Sequence, residues 1–284
     1  MQLSGSGVDR NNHAGFIALS LERYTPTAAG SKGEDNVQIY LGIDDTDNLD
    51  SPGSGQLAEM LSTQLRQTQL SLTCSSISRH QLFVHDTIPY TSHNSSMCFS
   101  SVINDHRLDD IILFAQQFLK KASAPGSDPG LCVAALHHDS DYRDLTSFGR
   151  RAKETRLTKQ EAYFLAGKAG VHLSEHGGTG DGIIGALAGI GLRLNGNDGR
   201  FRGWLDLGPT GSVTSVKAIS AHPFIDAVTT SEGRALPEEE QVHLVDSRVK
   251  TILQNHLQVV PVMPREHCSE ACWSTLSKAE VKRF

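Results

Sequence analysis

The stretch that most constrains this chain lies at residues 37–47, where Val37, Ile39, Leu41 and Ile43 alternate with Gln38, Tyr40 and Gly42 and then give way to Asp44-Asp45-Thr46-Asp47. Alternation with a period of two predicts a β-strand. Three carboxylates in four residues at its end oppose one another's ionisation, so a chain that keeps them together needs a compensating cation. Mg2+ suits this role because it takes oxygen ligands, commonly one or two carboxylates, with water and phosphate supplying the rest. Asp44, Asp45 and Asp47 are therefore the expected metal ligands. The plainer alternative is a solvated turn, since Asp and Asn readily hydrogen-bond their own backbone.

After the acidic loop, Asn48-Leu49-Asp50-Ser51-Pro52-Gly53-Ser54-Gly55 leads into Leu57, Ala58, Leu61 and Leu65 at helical spacing, continuing to about residue 68. The amides and dipole of a helix that begins there favour phosphate. The carboxyl end of a strand in an open α/β sheet is also a usual place for a ligand. A second glycine-rich loop spans residues 176–182. Its continuation, Gly180-Asp181-Gly182-Ile183-Ile184-Gly185, spells G-x-G-x-x-G. The dinucleotide fingerprint requires a preceding strand, whereas the capping-box spacing Thr158-Lys159-Gln160-Glu161 predicts a preceding helix over residues 159–173. Two readings stay open: a turn whose amides approach an anion, or glycines that only permit close helix packing.

Elsewhere, residues 70–78 and 81–85 read as extended, 97–103 as a strand, and Leu108, Ile111, Ile112, Ala115, Phe118 and Leu119 as an amphipathic helix. Proline and glycine at 124–130 break that helix before a buried strand at 131–136. Residues 183–194 are small and apolar, as suits a helix buried against a sheet. Beyond Asn195, short strands are predicted at 203–207 and 213–219, a helix near 247–256, and an apolar stretch at 257–263. The expected fold class is α/β, with α+β as the alternative. It comprises a mixed-sheet core domain over residues 36–195 flanked by helices and a smaller C-terminal α/β domain over 196–284. Residues 1–35 are expected to be a flexible leader; a translation start set too early would look the same.

A net charge of −6 and a pI near 6.1 argue against a broadly basic, nucleic-acid-binding surface. No apolar run approaches the roughly 20 residues that span a bilayer, and no secretory signal pattern opens the chain, so a cytoplasmic location is expected. Five scattered cysteines predict reduced thiols. Arg150-Arg151-Ala152-Lys153 reads as a solvated helix face, and His137-His138-Asp139-Ser140-Asp141 as a polar loop with metal-ligating potential. His80, His85 and His93 would contact phosphate only if protonated.

Together with Thr87-Ile88-Pro89-Tyr90 and Gly182-Ile183-Ile184-Gly185-Ala186-Leu187-Ala188-Gly189-Ile190-Gly191, the segment Gly42-Ile43-Asp44-Asp45-Thr46-Asp47 resembles the ATP-using kinase-type domain of the archaeal tRNA-Ile agmatinylcytidine synthetase (TiaS) family over approximately residues 37–194. The resemblance implies Mg2+ and ATP as cofactors, with Thr46, Gly53, Gly55, Gly180 and Gly182 in the nucleotide site. It also implies a reactive hydroxyl just after the acidic loop. Ungapped counting puts this hydroxyl on Ser54, alongside Asp44 and Asp45 as catalytic residues; the structural alternative for Ser54 is a helix N-cap.

Departures from the family pattern are equally specific. Where the family carries a Lys-Thr-Arg-Gly-Asn-Gly type segment, this chain reads Thr91-Ser92-His93-Asn94-Ser95-Ser96 and loses both cations, on which phosphoryl transfer relies. Asp181 replaces a basic residue. No counterpart of the family's oligonucleotide-binding barrel or zinc ribbon is evident, since His267-Cys268 and Cys272 supply a single knuckle. The expected activity is Mg2+-dependent, ATP-using phosphoryl or adenylyl transfer to an unidentified acceptor, with a small molecule favoured over direct tRNA binding. The alternatives are a catalytically degenerate nucleotide or metabolite sensor, and tRNA modification with a separate RNA-binding partner. A haloacid-dehalogenase-type phosphatase would use Asp45-Thr46-Asp47 but needs a second downstream acid where Gly185 stands.

Overall fold

A computed structural model describes residues 36–88, 93–136, 141–266 and 271–284. Its N-terminal portion runs β1 (Asn36–Asp44), α1 (Ser54–Gln67), β2 (Thr73–Cys74), β3 (Ser78–Gln81), β4 (Ser95–Asn104), α2 (Leu108–Ala122), β5 (Gly130–Leu136), α3 (Arg143–Arg151), α4 (Lys159–Ala169), β6 (His172–Glu175) and α5 (Gly182–Asn195). β1 lies between β4 and β5, antiparallel to both, with Gly42 opposite Cys98 on one side and Cys132 on the other.

The alternation read in the sequence puts each face of β1 against a different layer. Val37, Ile39, Leu41 and Ile43 pack with Leu57, Leu61 and Leu65 of α1 and with Phe118 of α2. Tyr40 and Gly42 face α5. A β-carbon at Gly42 would lie 2.2 Å from the Ala186 carbonyl oxygen, so only glycine lets α5 approach this closely. β1 is thus packed on both faces and paired on both sides, which fixes where its carboxyl end emerges from the sheet.

The remaining elements are β7 (Arg200–Phe201), β8 (Leu205–Asp206), β9 (Val213–Ser215), α6 (Val216–Ser220), β10 (Ala227–Thr230), β11 (Gln241–His243), β12 (Arg248–Val249), β13 (Ile252–Gln254), β14 (Leu257–Pro264) and β15 (Trp273–Thr275). The fold is mixed α/β. Among the described residues one sheet of 13 strands runs β6-β5-β1-β4-β3-β7-β13-β14-β15-β11-β9, with β2 and β10 pairing off this path. α5 ends at the left-handed Gly196, next to the expected boundary, and residues on both sides of this point belong to one compact unit. The sheet crosses that boundary through β7, which pairs with β3. Val216, Ile219, Ile225, Val228, Val242 and Val260 form a separate core beyond it.

Four local expectations change. The helix over 159–173 has its reciprocal Thr158–Glu161 capping box but stops at Ala169, because Gly170 turns left-handed. His172–Glu175 then pairs with β5, so a strand and not a helix precedes the second glycine loop. The helix predicted near 247–256 is instead β12 and β13; Asn255 and His256, both at positive φ, close a tight hairpin from β13 to β14. The strand predicted at 213–219 turns into α6 at Val216, where the Ser215 hydroxyl accepts from the Ala218 amide. Finally, Cys74, Cys98 and Cys132 are free thiols, whereas Cys272 is disulfide-bonded, against the expectation of five reduced cysteines. Burial pushes Cys98 up to about 12 and also raises Cys132, which keeps both unreactive at neutral pH. Among the described residues no helix is long and apolar enough to cross a membrane.

Candidate active site at the end of β1

Where β1 leaves the sheet, Asp45 adopts a left-handed backbone (φ 51°), a conformation that Asp tolerates better than most residues. Its N–H donates to Asp44 Oδ1 at 2.8 Å. The Asp44 side chain turns toward the start of α5, where a β-carbon at Gly185 would meet Oδ2 at 1.6 Å. Burial, then the Asp45 charge, pushes the Asp44 carboxyl up to about 7; the Asp45 amide works against this and Asp47 adds to it. Asp45 is pushed up to about 6 by burial, with Asp128, Asp47 and Asp181 contributing in that order.

These are hard oxygen donors whose mutual repulsion a divalent cation would relieve. Among the described residues no group of three His, Cys, Asp or Glu side chains forms a ready-made cage. The expected ligand set Asp44, Asp45 and Asp47 is accordingly not gathered as a three-carboxylate group.

Ser54 stands at the first position of α1; the N-cap is Gly53, which has no side chain to cap with, and the Ser54 amide donates to Asp47 Oδ1 at 3.3 Å. The Ser54 hydroxyl donates to the same Asp47 Oδ1 at 2.7 Å and accepts from the Thr46 amide and hydroxyl at 3.2 and 3.0 Å. The Ser54 proton is thus directed at a carboxylate that could accept it, while both hydroxyl lone pairs are engaged by Thr46, one of whose bonds must open before the oxygen can attack. Thr46, only 1% exposed, fixes Ser54 from behind. Gly53, Ser54, Gly55, Asp181, Gly182 and Gly185 line a cleft of about 1390 Å3 together with Asp44, Asp45 and Asp47. Gly180 packs instead beneath Glu175, whose Oε2 lies 1.8 Å from where a β-carbon would be.

The sequence marks residues 124–130 only as a helix break, yet they form a loop that packs against both the acidic loop and the second glycine loop. The Ala124 amide donates to Thr46 O at 3.0 Å and the Gly182 amide to Asp128 O at 3.2 Å. The Asp128 carboxylate accepts from the Thr179 amide and, at 2.8 Å, from its hydroxyl. Asp128 therefore pins the second glycine loop beside the acidic loop.

Arg79, Arg200, Arg202, Lys250 and Lys282 line the same cleft. Arg202 Nε ion-pairs with Glu59 Oε1 at 2.8 Å, and Arg79 Nε donates to Ser95 Oγ at 2.9 Å. The one local signal was Arg200-Phe201-Arg202, in which a buried Phe separates two arginines at strand spacing and so turns both away from the core. His93 also lines the cleft; burial, then Arg79, Arg200 and Lys282, lowers its pKa.

Other candidates fall elsewhere. His80 is buried against Ser78 and Asp198, and His85 is exposed. Arg150 and Arg151 are exposed at the end of α3, but Lys153 is drawn into an ion pair with Asp198. Pro89-Tyr90-Thr91-Ser92, His137-His138-Asp139-Ser140 and His267-Cys268 lie outside the described residues.

The sequence matches no protein-family model and no curated protein. Among solved structures, the chain is similar to a tRNA fluorescent labeling enzyme (24% identity, TM-score 0.47), covering 54% of this chain and 36% of that one. It is also similar to TiaS in complex with an isoleucine tRNA and ATP (23% identity, TM-score 0.47), covering 55% of this chain and 36% of that one. A third is TiaS in complex with the same tRNA, AMPCPP and agmatine (22% identity, TM-score 0.46), covering 54% of this chain and 36% of that one. The chain thus spans little more than a third of the length of these structures.

Proposed function

We propose that this protein is a Mg2+-dependent, ATP-using enzyme of the cytoplasm that transfers a phosphoryl or adenylyl group to an acceptor. The reading is carried by one convergence: Asp44, Asp45 and the Ser54–Asp47 hydrogen bond meet the N-terminal ends of α1 and α5 in a single cleft. Asp44 and Asp45 would hold Mg2+, which when bound neutralises polyphosphate charge and polarises the phosphorus under attack. Asp47 holds the Ser54 proton and is placed to accept it. The amides of Gly53 and Gly55 offer a phosphate the positive end of α1. Thr46 fixes the position of the Ser54 oxygen through two hydrogen bonds, and Gly185 leaves room for the Asp44 carboxylate.

Incubating the protein with ATP and Mg2+ and analysing nucleotides and protein by mass spectrometry tests this reading. ADP with phosphate on Ser54 identifies phosphoryl transfer, and AMP with pyrophosphate identifies adenylyl transfer. Intact ATP, an unmodified Ser54 and no bound nucleotide would contradict it.

A further inference from the structure

The cleft has a second wall that the acidic loop does not itself require. β3 alternates buried Ser78 and His80 with partly buried Arg79 and Gln81, so its arginine faces the cleft. β7 pairs with β3 in the register that sets Arg200 directly opposite Arg79. Like charges directly opposite on paired strands are destabilising. Neither Arg200 nor Lys250 forms an ion pair among the described residues.

We propose that Arg79, Arg200, Arg202 and Lys250 clamp the polyphosphate chain of the nucleotide, so that the segment after Gly196 completes the nucleotide site. This rests on the function proposed above and names the residues that hold its anion. Arg202 ties the wall to the reacting end: it lies against Gly55, where a β-carbon would come within 2.9 Å of its Nη1, one residue from Ser54. The ion pair with Glu59 fixes its direction. Lys250 Nζ donates to Gly203 O at 2.7 Å and sits 5.1 Å from the ring centre of Trp204, which holds the ammonium in place without neutralising it. Planar guanidiniums match phosphate oxygens two at a time, and three of them beside one ammonium suit a chain of phosphates better than a single one.

The wall is also braced from behind. On the buried face of the β3–β7 seam, Ser78 Oγ lies 2.7 Å from His80 Nε2, and His80 Nδ1 lies 3.0 Å from Asp198 Oδ1. Lys153 pairs with the other oxygen of Asp198. This network joins β3, the turn before β7 and the end of α3 beneath the opposed arginines. Burial and the neighbouring guanidiniums lower the pKa of both Arg79 and Lys250, which is a cost that a bound anion would offset.

Calorimetric titration of the full chain with Mg2+-ATP and separately with inorganic tripolyphosphate tests the clamp. Arg200→Ala and Lys250→Ala are each expected to weaken both ligands by about 10- to 100-fold, the range for losing a charged hydrogen bond. Arg200→Lys should recover part of the loss, and circular dichroism should show all variants folded. Variants that bind both ligands like the wild type overturn the clamp and leave the proposed function standing. A loss confined to added RNA, with ATP and tripolyphosphate affinity unchanged, also overturns it. Arg200-dependent binding of tripolyphosphate without any binding of ATP supports the anion clamp and contradicts the nucleotide reading. A wild type that binds neither ligand overturns both.

Discussion

Asp44 and Gly185 share one volume: a β-carbon on the glycine would lie 1.6 Å from Asp44 Oδ2. The absence of a side chain at the first turn of α5 thus sets where the first carboxylate of the acidic loop can stand. Alanine normally favours a helix over glycine by about 0.5–1 kcal/mol. Here it would push Asp44 aside. Gly185→Ala is expected to weaken Mg2+-ATP binding by about tenfold or more, a loss of about 1.4 kcal/mol, with the fold retained, as checked by calorimetry and circular dichroism.

Asp44→Asn is expected to separate stability from binding. The substitution removes one charge from a partly buried group of aspartates whose ionisation the surroundings oppose. Without metal the variant should melt at or above the wild-type temperature, at about 2–4 °C for each kcal/mol of repulsion relieved. It should also lose Mg2+-dependent ATP binding. Scanning calorimetry with and without Mg2+ reads both effects.

Ser54→Ala removes the hydroxyl that sits 2.7 Å from Asp47 Oδ1 and leaves the α1 amides in place. Turnover of ATP should fall by about 100-fold or more, the scale of losing positioned proton transfer. ATP affinity should change little, and Ser54→Thr should restore part of the rate. Steady-state kinetics that instead show a raised KM and an unchanged kcat would assign Ser54 to binding.

The cationic wall predicts a pH dependence with a definite sign. Lys250 is lowered from 10.5 to about 8 by burial and by Arg200, Arg202 and Arg79, with Glu59 acting in the opposite direction. In the unfolded chain the lysine is protonated across that window, whereas in the folded protein it has begun to lose its proton. Its contribution to folding stability therefore rises as pH goes from about 8 toward 10.5. Anion binding should move the other way: tripolyphosphate affinity should drop between about pH 7 and pH 9 as Lys250 discharges. Lys250→Arg should flatten this profile.

How far the site could be read from the sequence depended on whether its parts were local. Val37 to Ile43 alternate cleanly, so β1 and the position of Asp44 to Asp47 at its end were readable, as was the buried α5 from its run of small apolar residues. Ser54 was placed correctly at the start of α1, but its hydrogen bond to Asp47 depends on how the loop folds back. Asp128 and the cationic wall were not readable. Arg79 and Arg200 become neighbours only through the pairing of β3 with a two-residue strand more than a hundred residues away in the chain, and no local periodicity encodes that register. The β13–β14 hairpin was missed because Ile252, Leu253 and Gln254 are all buried, which removes the alternation that marks a strand.

The central claim is that the aspartates at the end of β1 hold a nucleotide through a divalent ion. Titrating ATP into the full chain, with Mg2+ and then with a chelator, tests it most directly. The account predicts saturable binding that requires Mg2+ and disappears in Asp44→Asn. No binding under either condition, or equal affinity with and without Mg2+ that Asp44→Asn leaves intact, would contradict it.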